Sequence, residues 1–106
     1  FFDNSKFFEF VDICRAEGIN VPIIPGLKPI STKKQLNLLP HRFHCDLPED
    51  LIKEVIKCKD NDQVKEVGIK WCVDQSKELM KFGVPFLHYY SMGRAESIKK
   101  IASRVF

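Results

Sequence analysis

Gly18-Ile19-Asn20-Val21-Pro22-Ile23-Ile24-Pro25-Gly26 is the stretch on which the reading of the fold turns. Its centre, Val21 to Ile24, is apolar at every position and is bounded by Pro25-Gly26. A half-solvated strand would alternate, whereas a short run apolar on both faces suits a parallel strand buried on both sides. Ahead of it, Asp3-Asn4-Ser5 supplies helix N-cap residues. Phe7, Phe8, Phe10, Val11 and Cys14 then recur at helical spacing, and Gly18 supplies the stop. The apolar pair Phe1-Phe2 before the cap reads as the end of an earlier strand.

Downstream, Pro25, Gly26 and Pro29 make a rigid turn. Ser31 or Thr32 can cap a short helix running through Leu39, which Pro40 ends. Leu47-Pro48-Glu49-Asp50 is a further helix start, with proline in the first turn and acids at the positive end of the dipole; it runs to Cys58. Asp60-Asn61-Asp62 restarts the chain as a long helix toward Phe82. Its expected stripe is Val64, Val67, Trp71, Ser76 or Leu79, and Met80, and Gly83 closes it. Val84 to Ser91 is a second strand, Gly93 its turn, and Arg94 to Phe106 a final amphipathic helix.

Alternation of this kind predicts an α/β protein with parallel strands joined by right-handed crossovers. Two strands and a stub leave open sheet edges and half-covered helices. The expectation is therefore the C-terminal piece of an α/β barrel, one domain unit over residues 1–106. The opening Phe1-Phe2-Asp3, without a methionine, and the close on Phe106 inside a helical pattern agree with a segment cut from a longer chain. A small doubly wound domain is the alternative, but its glycine-rich phosphate loop is missing.

The 106 residues are 44% hydrophobic and 29% charged, an ordinary globular profile. A net charge of +3 from 17 basic and 14 acidic residues is too mild and too mixed to argue for nucleic acid or an acidic membrane. The four cysteines, Cys14, Cys45, Cys58 and Cys72, form no C-x-x-C pair. Cys14 and Cys72 lie on apolar helical stripes, where a buried reduced thiol is the common outcome. His41, His44 and Cys45 cluster without the matching second pair of a zinc site, so no metal is expected. Apolar runs fall far short of the roughly 20 residues that span a bilayer. With no signal peptide in view, the expected compartment is the cytoplasm.

In α/β barrels chemistry gathers where strands end and feed their loops. That rule selects Asp3, the segment from Pro25 to Gln35, and the segment from Tyr90 to Arg94, which parallel strands would bring to one face. Arg94 starts a helix, where the dipole disfavours a cation; its planar fork there could read a carboxylate or phosphate, or simply pair with Glu96. The Gln35 amide can both donate and accept, which suits a heterocycle edge; the alternative is a solvated helix residue. His88 is expected as a buried, hydrogen-bonded strand histidine, with Tyr89, Tyr90 and Trp71 as packing. Lys33-Lys34 and Lys99-Lys100 read as solvated faces. No nucleophile–base pair or catalytic carboxylate pair can be assembled, so no catalytic residue is assigned.

The ordered segments Phe1-Phe2-Asp3, Gly18 to Gly26, Pro29-Ile30-Ser31, Gly83-Val84-Pro85 and Leu87-His88-Tyr89-Tyr90-Ser91-Met92-Gly93-Arg94 resemble the methylenetetrahydrofolate reductase family across essentially the whole chain. The resemblance implies a (β/α)8 TIM barrel carrying FAD, of which this stretch would supply the last two strands plus a preceding strand end, with their helices. It implies an oxidoreductase in which NADH or NADPH reduces the flavin, and the flavin passes hydride to 5,10-methylenetetrahydrofolate to give 5-methyltetrahydrofolate. Gln35, Met92, Arg94 and Leu39 match substrate-binding positions. Ser91-Met92-Gly93 departs from the family's Thr-Leu-Asn; Met for Leu conserves volume, while Gly for Asn removes an amide from the turn.

The expected partners are thus a folate substrate and NAD(P)H, in a homo-oligomer touching neither nucleic acid nor membrane. The flavin contacts and proton donors would lie on earlier strands, so the 106 residues alone are expected to be inactive. The rival readings are a non-catalytic segment that pairs its open edges with a second copy, and a piece of another flavin-dependent barrel such as a proline dehydrogenase relative.

Overall fold

The computed structural model describes residues 1–36, 47–90 and 95–106. Asp3 caps the first helix, α1 (Asn4–Ala16), by accepting from the Ser5 amide at 3.0 Å and the Ser5 hydroxyl at 2.6 Å. At its other end Gly18 adopts φ +83°, the Gly18 amide donates to the Arg15 carbonyl and the Ile19 amide to the Cys14 carbonyl. This paired closure satisfies carbonyls the helix would otherwise strand. Arg15 then ties down the exit, donating from Nη1 to the Ile19 and Val21 carbonyls at 2.7 and 2.9 Å.

The sheet is a parallel pair, β1 (Gly26–Leu27) and β2 (His88–Tyr89), in the register Gly26 to His88 and Leu27 to Tyr89. Parallel pairing agrees with the expectation, but the strands are shorter and shifted. Val21 to Ile24 pairs with no strand among the described residues, and Val21 and Ile24 are 63% and 51% exposed. Pro22 and Pro25 have no N–H to give a ladder, so pairing begins where Pro25 serves as an acceptor, taking the His88 amide at 3.0 Å. Phe1-Phe2 is not a strand either, although the Phe1 nitrogen donates to the Gly26 carbonyl at 3.4 Å.

Helix α2 (Glu49–Ile56) starts behind Pro48 and buries Leu51 and Val55. Helix α3 (Asn61–Phe82) is the central element. Asp60 caps it by accepting from the Gln63 amide at 2.9 Å, while Gln63 reaches back to the Lys59 amide at 2.8 Å. Gly83, at φ +104°, ends it. Its buried side differs from the expected stripe: Val64, Ser76 and Leu79 are buried as expected, but Gly68, Ile69, Cys72, Val73 and Gln75 join them and Met80 is exposed. The cause is that α3 packs on two clusters. One holds Phe2, Ile30, Leu51, Val55, Cys58 and Val64; the other holds Phe7, Leu27, Ile69, Cys72, Val73, Leu79 and Ile101. Helix α4 (Ala95–Val105) packs along α3 through Ile101.

The N-terminal residues are pinned to α3 by a polar network. Trp71 donates from Nε1 to the Phe2 carbonyl at 2.9 Å, and Gln75 donates from Nε2 to the Phe1 carbonyl and to Asn4 Oδ1. Asn4 Nδ2 returns bonds to the Gln75 carbonyl and to Glu78. Asn4 and Gln75 are both buried, so these bonds offset the desolvation of two amides. No helix of the described residues is long and apolar enough to cross a membrane.

Candidate functional site

Leu27 and Tyr89 turn toward the helices. Leu27 is fully buried, and the Tyr89 hydroxyl lies 2.7 Å from Ser76 Oγ on α3, which itself donates to the Cys72 carbonyl. Burial pushes the Tyr89 hydroxyl above its ordinary value, with the Ser76 bond opposing the shift. Strand side chains alternate, so His88 and Tyr90 fall on the opposite face, with ring centroids 4.5 Å apart and nearly perpendicular. His88 is exposed there, which corrects the expectation of a buried strand histidine: only one face of this sheet is covered by the described helices. Gly26 lies beneath the Tyr90 ring, and a Cβ at that position would meet it.

A cleft of about 330 Å³ opens where β1 and β2 deliver their chains to the following segments. Lys28 and Gln35 line it from beyond β1, Tyr90 from beyond β2, Glu96 and Lys100 from α4, and Lys65 from α3. The carboxyl ends of parallel strands are the expected place for such a cleft. Two of the three segments singled out from the sequence therefore meet here. Asp3 does not: it caps α1 and lines a separate groove with Asp50, Asp74 and Glu78. Lys100 is exposed, as expected of a solvated face, and from there it lines the cleft and reaches Glu96 and Glu66 at 3.8 and 3.9 Å.

Gln35 is held firmly. Its Oε1 accepts from the Ser31 amide at 2.6 Å and the Thr32 amide at 3.1 Å. Thr32-Lys33-Lys34-Gln35 has the spacing of a capping box, in which a glutamine reaches back to the start of its helical turn. That spacing was a signal in the sequence for the role. It also narrows the chemistry, because an amide whose oxygen is already engaged offers a ligand only its donors. Leu39, Met92 and Arg94, like His41, His44 and Cys45, lie outside the described residues. The cysteines Cys14, Cys58 and Cys72 are free and buried.

A pair of parallel strands with crossover helices and a cleft at their carboxyl ends defines an α/β segment with an enzyme-like site. The profile of the methylenetetrahydrofolate reductase family matches residues 1–105. Methylenetetrahydrofolate reductase 1 of Schizosaccharomyces pombe is 31% identical over 106 residues, covering 99% of this chain and 18% of the relative. Methylenetetrahydrofolate reductase (NADH) 1 of Arabidopsis thaliana is 36% identical over 93 residues, 87% of this chain and 16% of the relative. For 5,10-methylenetetrahydrofolate reductase of Escherichia coli the identity is 32% over 97 residues, 91% of this chain and 33% of the relative. The chain belongs to the methylenetetrahydrofolate reductase family, and it spans between about a sixth and a third of the length of these relatives.

Proposed function

We propose that this chain forms the folate-facing wall of an FAD-dependent methylenetetrahydrofolate reductase, which uses NADH or NADPH to convert 5,10-methylenetetrahydrofolate to 5-methyltetrahydrofolate. The observation that carries the reading is the cleft in which Gln35 and Tyr90 meet at the carboxyl ends of two parallel strands, within a chain of that family. In this reading β1 and β2 belong to a (β/α)8 barrel, and Gln35, Leu39, Met92 and Arg94 are its substrate-binding set. Gln35 presents donors to the folate, Arg94 presents a cation, and Met92 and Leu39 supply apolar contact.

The flavin supplies the hydride chemistry when bound. The described residues at the cleft do not fit it: the Tyr90 ring covers Gly26, and the Ser31 and Thr32 amides that could cradle a phosphate are already bonded to Gln35. The flavin is therefore assigned to other parts of the reductase, and this chain to binding and orienting the substrate. Relatives carry both nicotinamide forms in their names, NADH in Arabidopsis thaliana and NADPH in Caenorhabditis elegans, so the proposal takes either donor. The test is steady-state kinetics of Arg94→Ala in the reductase: the KM for methylenetetrahydrofolate should rise more than the KM for NAD(P)H. Equal changes in both would mark a structural arginine and count against the reading.

A further inference from the structure

Backbone conformation does not require a glycine at position 26. Among the described residues the glycines with positive φ are Gly18 and Gly83, whereas Gly26 stands in strand β1. Glycine weakens a strand, since it loses more backbone freedom on folding and packs no side chain. What it permits is a close approach. A Cβ at position 26 would lie 2.5 Å from Tyr90 Cε2, 2.9 Å from the Tyr90 hydroxyl oxygen and 3.0 Å from Tyr90 Cζ. These are its three nearest atoms, so the space Gly26 leaves is filled by one ring. His88, the register partner of Gly26, meets the same ring at its edge, with centroids 4.5 Å apart and planes at 77°. The Tyr90 backbone is fixed as well, its amide donating to the Leu27 carbonyl at 2.8 Å. Tyr90 is nonetheless 50% exposed, so its ring has room to swing if it is pushed.

Tyr90 lines the cleft together with Gln35. A side chain at position 26 would therefore turn the ring and reshape the cleft, while leaving the strand backbone as it is. We propose that Gly26 is a positioning residue for the substrate, acting through Tyr90: the ring takes its pose at the cleft only over a residue that lacks a Cβ. The inference rests on the reductase reading and adds to it a residue outside the substrate-binding set, one that acts through its neighbour.

A double-mutant cycle in the reductase tests it. Gly26→Ala should lower kcat/KM for methylenetetrahydrofolate about tenfold, chiefly through KM, within the roughly 100-fold that a misplacement of about 1 Å can cost. Its Tm should not fall, because alanine suits extended backbone better than glycine does. Tyr90→Leu keeps apolar bulk but lacks the three atoms that the new Cβ would meet. In that background Gly26→Ala should lower kcat/KM no further, which is the non-additivity expected of residues that act through one contact. If Gly26→Ala proves unstable by itself, the double variant should recover the Tm of Tyr90→Leu. The proposal is overturned if Gly26→Ala leaves kcat/KM unchanged, if it lowers kcat/KM equally in both backgrounds, or if the double variant stays unstable. A wild type that does not reduce methylenetetrahydrofolate would refute the reductase reading and this inference with it; an active wild type without the coupling would refute this inference alone.

Discussion

Gly68 has no side chain because the Ile30 carbonyl occupies the space where a Cβ would stand. Here α3 touches backbone, which cannot swing aside as a flexible side chain would. Gly68→Ala should therefore destabilise the fold by about 2 kcal/mol despite alanine's better helix propensity, as overpacking does; urea denaturation measures it. Cys72 makes a different prediction. Burial lifts its thiol from 9.0 to about 12, with the Ser76 hydrogen bond opposing the shift. Between those values the unfolded chain has released a proton that the folded chain keeps. The stabilisation is therefore complete below the unfolded value and is lost as pH rises toward the folded one. The buried Tyr89 hydroxyl acts in the same direction. Urea midpoints compared at about pH 8 and about pH 11 should fall steeply in the wild type and less steeply in Cys72→Ala; equal slopes would show that Cys72 does not titrate in this way. A period-based reading could place Cys72 on an apolar stripe, but not the partnership of Asn4 with Gln75, because those residues lie 71 positions apart.

Helix ends were the most legible elements, since their chemistry is local. Asp3, Asp60 and Gly83 cap or close their helices where the sequence places those ends. Gly83 at φ +104° faces open space, so substitution there meets backbone strain rather than a clash. Gly83→Ala should cost about 1–2 kcal/mol, read as a lower Tm, because an L-residue pays that much in left-handed backbone. An unchanged Tm would mean that the turn relaxes at no cost. The strands were less legible. Hydrophobicity pointed to Val21 to Ile24, whereas hydrogen bonding follows available N–H and C=O groups: it starts at the Pro25 carbonyl, and the paired strand begins at Gly26. Burial on α3 was misread at Met80 and missed at Gly68 and Gln75, because a single stripe cannot describe a helix packed on two clusters. At the site, the convergence of the segments after β1 and β2 followed from their parallel order; the polarity of Gln35 needed the bonds to Ser31 and Thr32.

At the scale of the whole molecule, the described helices pack one face of the sheet, while His88 and Tyr90 on the other face are exposed. Val21, Ile24 and Phe86, flanking the strands, are 63%, 51% and 66% exposed. The radius of gyration is 14.2 Å, above the roughly 13 Å of a compact chain of about 100 residues. In the proposed reductase these faces meet the other strands of the barrel, and the cleft closes from the side that carries the flavin. That division of labour is the central claim: this chain serves the folate, and other residues serve the flavin. Its most direct test compares two half-reactions of Gln35→Glu in the reductase, a variant that retains the bonds to Ser31 and Thr32. NAD(P)H–menadione turnover, which needs only the flavin, should match the wild type, while methylenetetrahydrofolate reduction should lose about tenfold or more in kcat/KM. Equal loss in both half-reactions, or no loss in the folate reaction, would contradict the account.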